Sequence, residues 1–271
     1  TLGVPGVLAR TVRGLVGSAR EIAAAPGSIS GLAPTTLFNG SLTAARSVAF
    51  RQCPLDEITE LCTAKGATVN DVVLAATTLS LRDYLLERDA LPSTPMVALV
   101  PAAGSEGGRR QSDGYGNHTS NLMVSLPVHV DDPVEVLATI HVAMLGVKAA
   151  RHALEPEVLD DWVGLLPPWV LSAGARTYAD LGLGRFHPPL FNTIVSNVAG
   201  PPVPLYLAGA RVTAVYPNGP LIGNTGLNLT VLSQESTLDL GVIACPDLVE
   251  DVAAIADGFL DGVAALRKAA G

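Results

Sequence analysis

Two stretches in the last third of the chain, LFNTIVSNV at residues 190–198 and GLNLTVLS at residues 226–233, decide the predicted fold. Both are rich in Val, Leu, Ile and Thr and lie next to Gly or Pro, which is typical of β-strands. Residues 209–216 and 236–244 have the same character, so we expect four strands in succession. A run of strands after a series of helices indicates a sheet that is covered by helices.

The residues before this run alternate between helical and extended patterns. Residues 4–24 have the pattern of an amphipathic helix, and residues 25–44, rich in Gly, Pro, Ser and Thr, predict an extended linker. That helix either packs on a neighbouring lobe or lies on a membrane surface. The remaining predicted elements are strands at 46–53, 96–102 and 122–130, a flexible loop at 104–117, and helices at 55–64, 69–88, 133–154, 156–183 and 248–268.

This order predicts an α/β fold, a two-layer sandwich with a mixed β-sheet and flanking helices. We divide the chain into residues 1–45, an amphipathic helix and linker, and residues 46–271, one lobe. Thr68 and Asn70 are the candidate N-caps of the helix at 69–88.

The composition excludes several classes of protein. The net charge is −8 and no basic face is visible, which argues against nucleic-acid binding. The three cysteines lack metal-ligand spacing, so we expect no metal and reduced thiols in a cytoplasmic protein. No apolar run reaches the ~18 residues of a membrane span. The sequence does not decide whether the protein contacts a membrane surface or a lipid droplet, or whether it associates with itself.

Known catalytic and nucleotide-binding motifs are absent from the sequence, including G-x-G-x-x-G, G-x-x-x-x-G-K-[ST] and G-x-S-x-G. None of the five histidines is paired with another in the sequence. His118 follows Asn117 where the predicted loop meets a strand, and it is the histidine best placed for a site. His141 lies inside an amphipathic helix, where a surface or interface position is expected.

Four segments in a fixed order carry a family resemblance. They are ATVNDVVLA at 67–75, MVALVP at 96–101 with a loop ending in Gly116-Asn117, IVSNVAGP at 194–201 running into PLYLAGA at 204–210, and GLNLTVLS at 226–233. From about residue 35 onward, the chain resembles the C-terminal lobe of the bacterial wax ester synthase / acyl-CoA:diacylglycerol acyltransferase family. That family is similar to chloramphenicol acetyltransferase and to peptide-synthetase condensation domains.

The resemblance implies an O-acyltransferase that moves a long-chain acyl group from acyl-CoA to diacylglycerol or a fatty alcohol. It implies no cofactor beyond acyl-CoA as co-substrate. The family's general base is a histidine in an H-H-x-x-x-D-G motif of the first lobe, and this sequence has no such motif. The partner is therefore an N-terminal lobe in the same polypeptide or a companion chain, and this chain alone is expected to be inactive.

Several residues are candidates for the site. Ser196 or Asn197, near the end of a predicted strand, could steady the oxygen that turns negative during acyl transfer. They could equally hold the turn at Gly200-Pro201, where Ala199 stands in place of the family's usual proline.

Two more pairs of polar residues leave alternatives open. Asn70-Asp71 resembles a family pair that is expected to matter for activity, by ordering the catalytic histidine or an interlobe arginine. Capping of a helix also explains the pair. Asn228 and Thr230 share one sheet face by alternation, facing either a substrate tunnel or solvent. The alternative functions are a non-catalytic lipid- or acyl-CoA-binding or scaffold lobe, and a condensation-type transacylation domain.

Overall fold

Six strands form one mixed sheet in the computed structural model, which describes residues 33–103, 119–153 and 188–270. The strands are β1 (Ser47–Pro54), β2 (Met96–Ala103), β3 (Thr119–Leu126), β4 (Thr193–Ala199), β7 (Leu227–Gln234) and β8 (Thr237–Ala244), and a small hairpin is made by β5 (Tyr206–Leu207) and β6 (Ala210–Arg211). The helices are α1 (Leu55–Lys65), α2 (Val69–Leu86), α3 (Pro133–Ala153) and α4 (Val252–Ala270). The predicted α/β sandwich is confirmed.

The strand order across the sheet is β1-β8-β7-β4-β2-β3. β4 pairs in parallel with both β7 and β2, whereas the other neighbouring pairs are antiparallel. β1, β7, β4 and β2 therefore run in one direction, and their carboxyl ends lie at the same end of the sheet.

One face of the sheet carries the hydrophobic core. Leu227, Leu229 and Val231 alternate along β7 and are buried against the helices. α2 lies between α3, α4 and the sheet, and it is buried almost all round, from Asp71 to Leu81 without interruption. This explains its small and apolar side chains, because close neighbours on several sides leave little space for long ones.

The direction of α2 places its first turn at the carboxyl end of the parallel strands. α1 follows β1 directly, and Arg267 near the end of α4 bonds Glu57 in the first turn of α1, with 3.0 Å between Nη1 and Oε2. Ser80 donates to the carbonyl of Ile255 near the start of α4, and Gly262 packs on Ala76. α2 and α4 are therefore antiparallel, so α2 begins where β1, β4 and β7 end.

The outer face of the sheet is partly covered by a strap, residues 212–222, that crosses β1, β8 and β7. The buried carboxylate of Asp239 accepts the backbone N–H of Val215 at 2.6 Å and the side-chain amide of Gln52 at 2.7 Å. A Cβ atom at Gly241 would lie 1.8 Å from the carbonyl oxygen of Pro217. The strap can therefore lie on β8 only because residue 241 has no side chain.

A second buried polar cluster ties the chain segment before β1 to the sheet. Asn192 is fully buried; its side-chain oxygen accepts the N–H of Val97, and its amide nitrogen donates to Asn39 and to the carbonyl of Pro34. Phe38 of the same segment is fully buried in the core, 5.8 Å between ring centroids from Tyr84. The described part of the predicted linker is thus packed through Phe38.

Two predicted strands differ from the structure. Residues 209–216 contribute only Ala210–Arg211 to a strand, because β8 already pairs with β1 on one side and β7 on the other and offers no free edge. The strand predicted at 122–130 is β3, which ends at Leu126 because Pro127 interrupts the ladder. The predictions for residues 4–24, 104–117 and 156–183 fall outside the described residues.

Candidate active site at the carboxyl end of β4

The sheet opens between β2 and β4. These strands pair at Ala98 with Thr193 and at Leu99 with Ile194, whereas β4 stays paired with β7 as far as Ala199. If the β2–β4 register continued, Ser196 would stand opposite Pro101, which has no N–H to add to a ladder. This leaves a gap in the ladder between β2 and β4, which we name the crevice, because ligands of open α/β sheets bind between the carboxyl ends of parallel strands.

Ser196 and Asn197 lie on this opened part of β4, but on opposite faces of the sheet. Ser196 pairs with Thr230 and shares its outer face, whereas Asn197 pairs with Val231 and shares the helix face. Both side chains are half-buried, and neither forms a side-chain hydrogen bond with another described residue. Their donors are thus free to meet a ligand, although the two cannot enter a cleft from the same side of the strand.

Gly200 and Pro201 hold the end of β4 against the turn between β7 and β8. The N–H of Gly200 donates to the carbonyl oxygen of Ser233 at 2.8 Å, and a Cβ at residue 200 would lie 2.4 Å from that oxygen. The carbonyl of Pro201 accepts the N–H of Glu235 at 3.4 Å. This close approach requires glycine and fixes the strand that carries Ser196.

Asn228 and Thr230 share the outer face, as their alternation predicts, but they do not face solvent. Asn228 is 1 % exposed and Thr230 is 5 % exposed. The Asn228 amide donates to the carbonyl of Pro220 in the strap, and its oxygen accepts the Thr230 hydroxyl at 2.9 Å. The solvent-facing alternative is therefore wrong, and this pair anchors the strap beside the outer side of the crevice.

The first turn of α2 lies at the same end of the sheet. Thr68 is the N-cap: its hydroxyl accepts the N–H of Asp71, and the Asp71 carboxylate accepts the N–H of Thr68 in return. The expectation that Asn70 caps this helix is wrong, because Asn70 lies inside the first turn. Its amide instead points to the sulfur of Met144 in α3, at 3.8 Å.

Asp71 has a second partner, which the sequence did not indicate. The Nδ1 atom of His141 in α3 lies 2.9 Å from Oδ2 of Asp71, and Asp71 is 1 % exposed. Burial, followed by the nearby charge of Asp71, raises the pKa of the Cys62 thiol. Periodicity placed His141 at a surface or interface; no local signal pairs it with a residue 70 positions away.

The remaining sequence-based candidates are Asn117 and His118. Both residues lie outside the described residues. Within residues 33–103, 119–153 and 188–270, no group of three or more His, Cys, Asp and Glu side chains could hold a metal ion. The candidate site therefore comprises the gap in pairing between β2 and β4, the strap on its outer side and the Asp71–His141 pair on the helix side.

Comparison with known proteins connects this arrangement to a family. Residues 115–267 match the model of the WS/DGAT C-terminal domain, and residues 1–73 match that of the wax ester synthase/diacylglycerol acyltransferase catalytic domain. A Mycobacterium tuberculosis protein named "Putative diacyglycerol O-acyltransferase" is 36 % identical over 268 residues, covering 98 % of this chain and 51 % of its own length. The O-acyltransferase WSD of Acinetobacter baylyi is 30 % identical over 83 % of this chain and 47 % of its own.

Solved structures agree with this connection. The wax ester synthase/diacylglycerol acyltransferase from Marinobacter aquaeolei VT8 superimposes on this chain with a TM-score of 0.69 at 28 % identity, covering all of this chain and 58 % of that protein. A condensation domain of the calcium-dependent antibiotic synthetase shares the fold, with a TM-score of 0.54 at 17 % identity over 98 % of this chain and 53 % of that one. The chain spans about half the length of the curated relatives it matches.

Proposed function

Because this chain belongs to the wax ester synthase/diacylglycerol acyltransferase family, we propose that it supplies the C-terminal lobe of an O-acyltransferase. The reaction transfers a long-chain acyl group from acyl-CoA to diacylglycerol, giving triacylglycerol, or to a fatty alcohol, giving a wax ester. The observation that carries the proposal is the crevice where β2 and β4 separate, with the unbonded Ser196 side chain beside it.

The chemistry divides between two lobes. A base on the N-terminal lobe takes the proton of the acceptor alcohol, whose oxygen attacks the thioester carbonyl. Negative charge develops on the carbonyl oxygen, and the thioester C–S bond then breaks to release CoA, whose sulfur takes the proton held by the base. A hydroxyl or amide donor from β4 that meets this oxygen lowers the barrier, and one such donor is worth about 3 kcal/mol. No further cofactor is proposed.

The outer face of the sheet is the proposed docking surface for the second lobe. Apolar side chains remain exposed there: Val48 on β1, Met123 on β3 and Val198 on β4 are 48, 40 and 41 % exposed. They lie on separate strands, with β1 and β3 at opposite edges of the sheet, so they are single exposed residues and do not form one contiguous patch. The N-terminal lobe is the proposed partner, in the same polypeptide or in a companion chain.

The test joins this chain to the N-terminal lobe of the Mycobacterium tuberculosis relative, because this chain covers only 51 % of that protein's length. Turnover of palmitoyl-CoA is measured with a diacylglycerol and with hexadecanol, and the 271-residue chain alone is the control. We expect turnover by the joined protein and none above background by the chain alone. Robust turnover by the isolated chain would refute the placement of the base on the other lobe.

The opposed side chains of Ser196 and Asn197 provide a matched pair of variants. If the thioester oxygen lies on the outer side of β4, Ser196→Ala lowers kcat about 100-fold with little change in acyl-CoA affinity, and Asn197→Ala has a small effect. The reverse pattern would place the thioester oxygen on the helix side of β4. Loss of acyl-CoA affinity without a fall in kcat, in both variants, supports a binding lobe instead.

Carrier-protein thioesters test the condensation-type alternative. An excess of acyl carrier protein loaded with the same acyl group should not compete with palmitoyl-CoA if CoA esters are the substrates. Strong competition would instead assign a transacylation domain.

Contact with a lipid surface belongs to the same proposal, because both acceptor classes are lipids. No helix in the described parts of the chain has the length and apolarity needed to cross a bilayer. The β5–β6 hairpin carries Tyr206 and Leu207 at 64 and 75 % exposure, so it is the proposed contact. Flotation with triolein emulsions measures it, and equal flotation of a Leu207→Ser variant would contradict this assignment.

A further inference from the structure

We propose that His141 is a positioning residue of this site: through Asp71 it fixes the start of α2, and with it Asn70, against α3. This role rests on the proposed acyltransferase function. His141 belongs to none of the four motifs that carry the family resemblance. Its assignment follows from the hydrogen bonds, burial and helix directions of the described residues.

The first step is the bonding of the Asp71 carboxylate. Its Oδ2 atom accepts two hydrogen bonds, from the backbone N–H of Thr68 and from Nδ1 of His141, each at 2.9 Å. Its Oδ1 atom is buried and has no hydrogen-bond partner. Removing His141 would leave a fully buried carboxylate with a single donor, and a buried acceptor that loses a partner is destabilised. The imidazole therefore holds both the carboxylate and the turn that it caps.

The second step is the position of the hydrogen on the imidazole ring of His141. With the carboxylate as the acceptor, Nδ1 of His141 carries a hydrogen and donates it to Asp71. The His141 side chain is 35 % exposed, whereas Asp71 is 1 % exposed. The Nδ1 side of the ring is thus bonded inside the protein, and the buried Asp71 carboxylate determines that Nδ1 carries a hydrogen.

The third step is the location of this pair. β3 runs opposite to β2, so α3 begins at the end of the sheet away from the crevice, where Arg82 of α2 donates to the carbonyl of Val128. α3 then runs toward the carboxyl end of β4 and meets the first turn of α2 at His141 and Met144. These two residues are three apart and share one helix face. α3 therefore holds Asp71 and Asn70 together, on the helix side of the crevice.

The consequence concerns rate more than substrate affinity. A helix start that is displaced by about 1 Å can lower a rate about 100-fold when it shapes the reacting geometry. Loss of the His141 bond frees the first turn of α2 from α3 while the rest of α2 stays packed in the core. We therefore expect kcat to fall while KM for acyl-CoA changes little.

The rate test uses the joined two-lobe protein. His141→Leu is expected to lower kcat at least tenfold, with KM for palmitoyl-CoA within twofold and an unchanged circular dichroism spectrum. His141→Asn, which keeps a donor near the Nδ1 position, should recover most of the rate. The Asp71→Asn/His141→Leu double variant should be no slower than the slower single variant, because the two residues act as one unit.

His129→Leu is the matched control, because His129 is an exposed histidine in the loop before α3. It should retain the rate of the parent protein. A kcat of His141→Leu within twofold of the parent, or equal losses in His141→Leu and His129→Leu, would overturn the positioning role. Equal losses in His141→Leu and His141→Asn would overturn it as well.

A second measurement does not depend on turnover. In the 271-residue chain labelled with ¹⁵N-histidine, the resonances that disappear in His141→Leu should report a ring that carries a hydrogen on Nδ1. A ring whose only hydrogen is on Nε2 would overturn the inference whatever the enzyme does. Absence of turnover in the parent joined protein would overturn the proposed function and the positioning role with it, while the tautomer result would still test the bond itself.

Discussion

Replacing Asp239 by Ala is expected to release the strap, residues 212–222, from the outer face of the sheet. The carboxylate is fully buried and accepts two hydrogen bonds, from Val215 and Gln52. Bonds to a charged acceptor contribute about 1.5–3 kcal/mol each. No positively charged side chain of the described residues forms an ion pair with Asp239, so removing the charge also relieves a desolvation cost. We therefore expect a net loss of about 3 kcal/mol.

The free energy of unfolding measured in urea and the melting temperature both report this loss. For a domain of this size each kcal/mol lowers Tm by about 2–4 °C, so Asp239→Ala should melt about 6–12 °C below the parent. Limited proteolysis should also cut within the strap faster than in the parent. Loss of stability without faster cleavage would mean that the carboxylate stabilises the sheet and does not hold the strap.

An exposed aspartate provides the control for this experiment. Asp257 is 56 % exposed and pairs with Arg51, which donates to it at 2.5 and 2.8 Å. Solvent screens such a pair, so Asp257→Ala should cost no more than about 1 kcal/mol. If Asp239→Ala lies within 0.5 kcal/mol of the parent, or equals Asp257→Ala, the reasoning about the buried carboxylate is refuted.

Three further predictions follow from single residues. Thr68→Ala removes the hydroxyl that accepts the N–H of Asp71 and should lower stability by about 1 kcal/mol in thermal melts; an unchanged Tm would contradict the cap. Asn192→Ala removes three buried hydrogen bonds and should cost about 2–4 kcal/mol in urea unfolding, and a loss under 1 kcal/mol would count against that cluster. Burial raises the pKa of Cys53 to about 11. The contribution of this thiol to stability is complete below about pH 9, because the thiol is still protonated in the unfolded chain there. That contribution is lost as pH rises toward 11. Cys53→Ala should flatten that decline, which is on the order of 2 kcal/mol, and identical pH profiles for the two proteins would contradict it.

Local sequence patterns were sufficient for most elements of the fold. The helix predicted at 69–88 is α2, and the strands predicted at 226–233 and 236–244 are β7 and β8 within a residue at each end. These elements were predictable because each buries a continuous apolar face, and that face imposes its period on the sequence. The mixed sheet followed from their order along the chain.

The strap was not predictable from such patterns. Residues 209–216 have strand-like composition, yet their backbone groups bond to side chains of Asp239 and Gln52. Whether a β-like segment joins a sheet depends on a free edge, and β8 has none. That information is a property of the complete topology and is absent from the segment itself.

The candidate site was predictable in part. The crevice end of β4 and the polar residues of 194–201 were singled out correctly as neighbours of a turn, since Gly and Pro mark that turn. The opposite orientation of Ser196 and Asn197 was available from strand alternation. The Asp71–His141 pair was not, because the two residues meet only after α2 and α3 pack together.

The pairing of β1 with β8 has a consequence for how the protein is made. These two strands lie almost two hundred positions apart, and their ladder runs from Ser47 with Ala244 to Pro54 with Thr237. During synthesis, β1 leaves the ribosome long before β8 is made. Until then, the backbone N–H and C=O groups of β1 have no strand to pair with. Such distant pairings fold slowly. The nascent polypeptide therefore has an unpaired β1 until translation has passed residue 244, and an unpaired strand edge is prone to aggregation during this interval.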